Sequence, residues 1–188
     1  MRTARVTAVL AAAVVLVSCS EPTQDPAPFE VDVAYTVHQQ HNFLTPLSGK
    51  EEVPPVATKA VGLAGFQLSR DGSELTYKLI VANIDNVTQA HIHCGTFGVN
   101  GPIVLWLYPA APPATLIPGR TNGILGEGTA TNANVIPRPD SPACPGGVAN
   151  LADLVEKLKN GGAYANVHTT ANPPGEIRGQ IEQLGRKN

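Results

Sequence analysis

Apolar and polar positions alternate cleanly through one stretch of the chain. Leu75, Tyr77, Leu79 and Val81 point one way, and Glu74, Thr76 and Lys78 point the other. A period of two is the signature of a strand with one face buried. Asp71-Gly72, just ahead, is a hairpin turn signal, and residues 59 to 69, with Val61, Leu63, Phe66 and Leu68 among Gly62 and Gly65, supply a partner strand. Further strands are expected over 87–93, from Ile103 to Tyr108, over 122–131 where glycines interrupt, and near 163–169 and 175–183. Gly95 to Pro102 reads as a loop, and Pro109 to Pro118 is a proline-rich connection. One segment changes period. Leu151, Leu154, Val155 and Leu158 recur at i, i+3, i+4 and i+7, which is one apolar stripe on a helix. Asn150 is a suitable N-cap and Gly161 a suitable left-handed stop, so the helix spans about 150–160. These elements predict an all-β domain, an antiparallel β-sandwich or barrel with one short helix.

The N-terminus has a different pattern. Arg2 and Arg5 precede an apolar run from Val6 to Val17 that only Thr7 interrupts. That is the layout of a secretory signal peptide, and the run is short for a membrane-spanning helix. It closes on Leu16-Val17-Ser18-Cys19, which resembles the lipobox of bacterial lipoproteins. The expectation is a signal peptide over residues 1–18, a lipidated Cys19, a spacer to residue 36 and a folded domain over 37–185. The alternative is an ordinary signal peptide with an incidental Cys19. The segment from 20 to 30, SEPTQDPAPFE, is polar and proline-rich and suits a semi-extended spacer. The expected location is the bacterial cell envelope, anchored to a membrane through the lipid, on its periplasmic or extracellular face.

Charge and cysteine content narrow the partners. The formal net charge is −2, and it falls to −4 once Arg2 and Arg5 leave with the signal. No Lys/Arg cluster is present, so nucleic acid is an unsuitable partner. With Cys19 assigned to lipid, Cys94 and Cys144 remain as an even pair in an exported chain, which favours a disulfide over free thiols. No G-x-S-x-G elbow, phosphate-cradling glycine loop or H-E-x-x-H is present.

The chain has five histidines. His38 and His41 sit at the domain entrance, where exposure accounts for them. His91-Ile92-His93 puts two imidazoles on one strand face, and Tyr164, Asn166 and His168 share a face of another strand. Should the strands adjoin, three imidazoles converge, and neutral imidazole suits copper and zinc. Ligand nitrogens farther apart than roughly 6 Å would rule this out, because each bond spans only about 2.0–2.1 Å. The plainer reading is a polar face of hydrogen-bonded histidines. Glu176, Arg178 and Gln180 share a further strand face; Glu176 and Arg178 read as a structural ion pair, or, facing the histidines, as an imidazole-orienting carboxylate and an anion-attracting cation.

Leu47-Ser48-Gly49, Glu52-Val53-Pro54-Pro55-Val56, Ala90-His91-Ile92-His93, Gly101-Pro102, GGAYANVHT over 161–169 and PGEIRGQI over 174–181 resemble, in that order, the chordin-type domain called CHRD. The resemblance runs from about His41 to Ile181. It implies an immunoglobulin-like barrel, distantly similar to copper/zinc superoxide dismutase. On that similarity His91, His93 and His168 look like copper ligands, and Arg178 like the arginine that guides superoxide. No histidine lies between His93 and His168, so the resemblance does not extend to a dinuclear site. The growth-factor antagonism of animal chordin belongs to animal signalling and does not transfer.

Three functions follow as expectations. The first is a membrane-tethered, non-catalytic binding or structural module with an unidentified protein or ligand partner. The second is a mononuclear copper or zinc protein using His91, His93 and His168, with Asn166, Glu176 and Arg178 around them. The third is dismutase-like activity at that site.

Overall fold

The structure is a computed structural model that describes residues 41–185. The signal segment, Cys19, the spacer and His38 lie outside the described residues. The described residues form eight strands: β1 Asn42–Ser48, β2 Val61–Leu68, β3 Leu75–Cys94, β4 Ile103–Tyr108, β5 Ile117–Ala130, β6 Ala163–Thr169, β7 Ile177–Gln180 and β8 Glu182–Gln183. Among the described residues one α-helix, α1 Leu151–Asn160, joins them. All pairings between strands are antiparallel.

β3 organises the sheet. Its first part pairs with β2 (Leu68↔Leu75 to Val61↔Ala82) and its last part with β6 (Val87↔Thr169 to Cys94↔Ala163). The strand order β2-β1-β7-β6-β3 therefore returns to β2 through β3, and the sheet closes into a barrel. β5 and β4 extend it along the first and last parts of β3 respectively.

Several boundaries differ from those read in the sequence. The strand expected over 87–93 is the end of β3, continuous with the strand that begins at Leu75. Asn83, Asp85 and Asn86, around buried Ile84, break the alternation without breaking the strand. Asn83 and Asn86 adopt left-handed backbone (φ 57° and 52°), a conformation asparagine tolerates better than most residues, and the register with β5 shifts there. β5 begins at Ile117, inside the stretch read as a proline-rich connection. The final segment divides into β7 and β8 around Ile181. β1, which alternation had not delimited, pairs along its whole length with β2.

The helix forms as its sequence dictates. The Asn150 side chain accepts a hydrogen bond from the Asp153 N–H at 3.0 Å, and Gly161 ends the helix at φ 67°. Leu151, Leu154, Val155 and Leu158 are buried where α1 packs against β6 and β8. Each such side chain contributes about 1.5–3 kcal/mol by leaving water.

Cys94, at the end of β3, is disulfide-bonded to Cys144, with Cα atoms 5.3 Å apart and a sequence separation of 50. Closing a loop of that length restricts the unfolded chain by about 4 kcal/mol on the chain-entropy account. The bond fixes the segment before α1 to the strand end from which the 95–102 loop departs.

Candidate functional site

The last part of β3 and the whole of β6 lie side by side and are buried on both faces. One face is apolar: Ala90, Ile92 and Cys94 from β3, with Ala163, Ala165 and Val167 from β6, all buried in the core. The other face carries His91 and His93 from β3 and Tyr164, Asn166 and His168 from β6. In register, His91 lies opposite Asn166, and His93 opposite Tyr164. A polar layer thus sits within the fold rather than on its surface. Its three rings are 0%, 7% and 5% exposed for His91, His93 and His168.

The rings converge. One nitrogen from each of His91, His93 and His168 can be chosen so that all lie within 4.8 Å of one another. This is inside the roughly 6 Å bound, and because two donors at about 2.0–2.1 Å from one ion lie at most about 4.2 Å apart, the widest pair closes in slightly when an ion binds. His91 Nδ1 is 3.1 Å from His168 Nε2. Two backbone carbonyls orient the rings: Gly101 O lies 2.9 Å from His93 Nδ1, and Pro173 O lies 2.9 Å from His168 Nδ1.

Those carbonyls settle the tautomers, because a carbonyl only accepts. His93 and His168 must each donate Nδ1–H, which leaves their Nε2 lone pairs bare when the rings are neutral. His91 then donates Nδ1–H to His168 Nε2. The remaining nitrogens, His91 Nε2 and His93 Nε2, are buried without a hydrogen-bond partner. Buried polar atoms are rarely left so, and each such site calls for a physical explanation.

Electrostatics keeps the rings neutral. Burial, then repulsion from His168 and His93, pushes the His91 pKa down to about 3. Burial pushes His93 down to about 4, against the favourable Gly101 hydrogen bond and with repulsion from His168, Arg178 and Arg138. Burial also lowers His168. Neutral imidazoles are the form that binds metals.

The surroundings are built in layers. The Tyr164 ring stacks on His93 at 4.9 Å and 9°, and the Arg178 guanidinium lies 3.6 Å above the Tyr164 ring. Arg178, 2% exposed, donates to Asn100 Oδ1 and Val99 O, and the Gly101 N–H donates to the Tyr164 hydroxyl. The 95–102 loop is therefore gripped at several points near the carbonyl that holds His93. Gly101 must be glycine, since a Cβ would run into the Cys94 carbonyl. Trp106 of β4 sets its ring edge-on to His91, centroids 4.3 Å apart.

The carboxylates are placed otherwise than expected. Glu176 accepts from Thr58, Thr169 and Asn172, so it ties the 170–176 turn to the loop after β1 and orients no imidazole. It is buried and does not form an ion pair with Arg178. Backbone carbonyls take the orienting role that the sequence suggested for Glu176. Asn166 donates to Pro174 O at 3.4 Å, and its Oδ1 has no partner. Gln180 donates to the carbonyls of Gly95, Gly161 and Ala163. The sequence reading did not single out Glu52 as a site residue. Burial raises its pKa to about 7, against the favourable charge of Arg178. Glu52 Oε1 and the Asn166 amide meet at Gly175, where a Cβ would collide with both. Trp106 arrives as the cross-strand partner of His91 on β4, and Glu52, which the sequence marks only as part of a family motif, reaches Asn166 at Gly175.

The family model of the CHRD domain matches residues 43–181. The chain belongs to the CHRD family. No curated protein and no solved structure matches it. The residues that the family shares a frame with include both β3 histidines, His168 and all the residues of the surrounding layers, so the polar layer is internal to the CHRD domain. Three converging imidazole nitrogens, with two of the rings held by backbone carbonyls, form a donor set suited to a small soft or borderline cation.

Proposed function

We propose that this CHRD domain is a non-catalytic metal-binding module of the bacterial cell envelope, holding one copper or zinc ion through His91, His93 and His168. The observation that carries this is the convergence of three neutral imidazoles, two of them with buried Nε2 atoms that have no partner in the protein. Ligation through Nε2 of His93 and His168 leaves both carbonyl hydrogen bonds intact. His91 can join through Nδ1 by moving its proton to Nε2. A bound ion supplies the electron-pair acceptor that His93 Nε2 lacks. The burial of the rings favours storage, sensing or structural support over turnover of a substrate, and dismutation is the least favoured use.

The competing reading is a purely structural histidine layer, favoured by the 3.1 Å contact between His91 and His168. Equilibrium dialysis against zinc and copper separates them. The metal reading expects one equivalent on the wild type and none on a folded His93→Ala variant. No binding to either leaves the structural layer.

Export and lipidation complete the proposal and rest on the sequence: the Arg2/Arg5 n-region, the Val6 to Val17 run and Cys19. No helix among the described residues is long and apolar enough to cross a membrane. Labelled fatty acid should enter the wild type and not Cys19→Ser; equal labelling of both removes the tether.

A further inference from the structure

We infer that the three-histidine site selects monovalent copper over zinc and over divalent copper, an inference that rests on the metal-binding reading above. The donor set is electrically neutral. It holds three imidazoles and no carboxylate or thiolate. The outer N–H groups of His93 and His168 go to the neutral carbonyls of Gly101 and Pro173, not to carboxylates that would lend the rings negative charge.

The surroundings do not supply that charge either. From β7, Arg178 stacks over Tyr164, which stacks on His93. From the chain before α1, Arg138 donates to the carbonyl of Ile103, the β4 residue paired with His93. Of the carboxyl groups, Glu176 is bonded to Thr58, Thr169 and Asn172, and Glu52 faces Asn166 at Gly175. Neither forms a hydrogen bond to an imidazole. A divalent ion here would bury two positive charges beside two arginines. The desolvation cost of an ion scales with the square of its charge, so a monovalent ion incurs roughly a quarter of it.

Coordination number points the same way. Zinc in a three-histidine site takes a fourth ligand, and divalent copper prefers a tetragonal set. Here Trp106 and Tyr164 close on two of the rings, and none of the three rings is more than 7% exposed. Monovalent copper is a closed-shell ion satisfied by three donors.

The test uses the purified protein under anaerobic conditions. Monovalent copper is titrated against a chromogenic copper(I) chelator, and zinc against a zinc indicator. One equivalent of copper(I) should bind and stay bound against about a hundredfold excess of zinc, a preference that the divalent affinity order alone does not provide. Copper K-edge absorption should count three nitrogen donors. Zinc binding of equal strength, or a loaded site with four or more donors, overturns the selectivity while leaving metal binding intact. Failure of both ions to bind overturns the metal reading itself. His93→Gln serves beside His93→Ala, so that a folded variant lacking the site is available; either should lose the copper(I) equivalent.

Discussion

The two ends of β3 are built from one continuous strand and behave as different materials. Over Leu75 to Val81 the strand is flanked by β2 and β5, and burial alternates residue by residue: Leu75, Tyr77, Leu79 and Val81 inside, Thr76, Lys78 and Ile80 outside. Over Ala90 to Cys94 it is flanked by β4 and β6, and every residue is buried. Solvent on one face makes the first end legible and cheap to alter. The second end has no solvent face, so its polar side must satisfy itself with its own hydrogen bonds, ring contacts and, on the proposed reading, an ion. The lesson is that a polar residue on a strand reports the surface only when something else shows that the face is wet.

Substitutions can break or sharpen this contrast. The largest effect is expected on the apolar side of the second end. Ile92 is wholly buried, and Ile92→Ala should cost about 2–5 kcal/mol in denaturant unfolding. A cost below about 1 kcal/mol would mean that this face is loosely packed.

Acid should act chiefly through the second end. Histidines whose folded pKa values lie below their unfolded value bind protons preferentially in the unfolded chain. The metal-free domain should therefore be most stable above about pH 6.5 and lose stability as pH falls toward the folded values of about 4 and about 3 for His93 and His91. Each such group changes stability by at most about 1.4 kcal/mol per pH unit. Glu52 opposes this. Its folded pKa of about 7 is raised, so its contribution is full below its unfolded value and is lost as pH rises through 7. Glu52→Gln should accordingly steepen the acid loss between pH 6.5 and 4.5, measured by urea midpoints across pH. An unchanged or shallower slope would contradict the assignment.

A smaller effect is expected for His91→Leu, which removes the donor to His168 Nε2 and leaves that nitrogen unpartnered, at about 1–3 kcal/mol. The smallest belongs to the outer face of the first end. Ile80 is 40% exposed, and Ile80→Thr should stay within about 0.5 kcal/mol of the wild type. A large loss there would show that the Leu63, Ile80 and Ile124 row, aligned across β2, β3 and β5, is covered in solution.

Legibility followed the same division. Alternation at Leu75 to Val81, the stripe and caps of α1, and the Cys94–Cys144 pairing were readable because each is a local pattern or a count. The continuity of β3 was not, since Asn83 and Asn86 look like a break and act as a bend. The faces of His91, His93 and His168 followed from period two, but their meeting required the register of β3 on β6. The orienting groups were invisible for a plainer reason. Gly101 O and Pro173 O are backbone atoms, and no side-chain pattern announces a carbonyl. Trp106 reaches the layer through the β3–β4 register, and Glu52 through its approach to Asn166 at Gly175; both are contacts between residues far apart in sequence.

The account rests on three neutral imidazoles, each bringing one nitrogen within 4.8 Å of the others. Nitrogen-15 NMR of the histidine rings in the metal-free domain at neutral pH measures this directly. The predicted result is Nδ1–H with bare Nε2 on both His93 and His168, and parallel shifts of all three rings on adding copper(I) or zinc that saturate at one equivalent. An Nε2-protonated His93 or His168, or rings that do not respond to either metal, would contradict it.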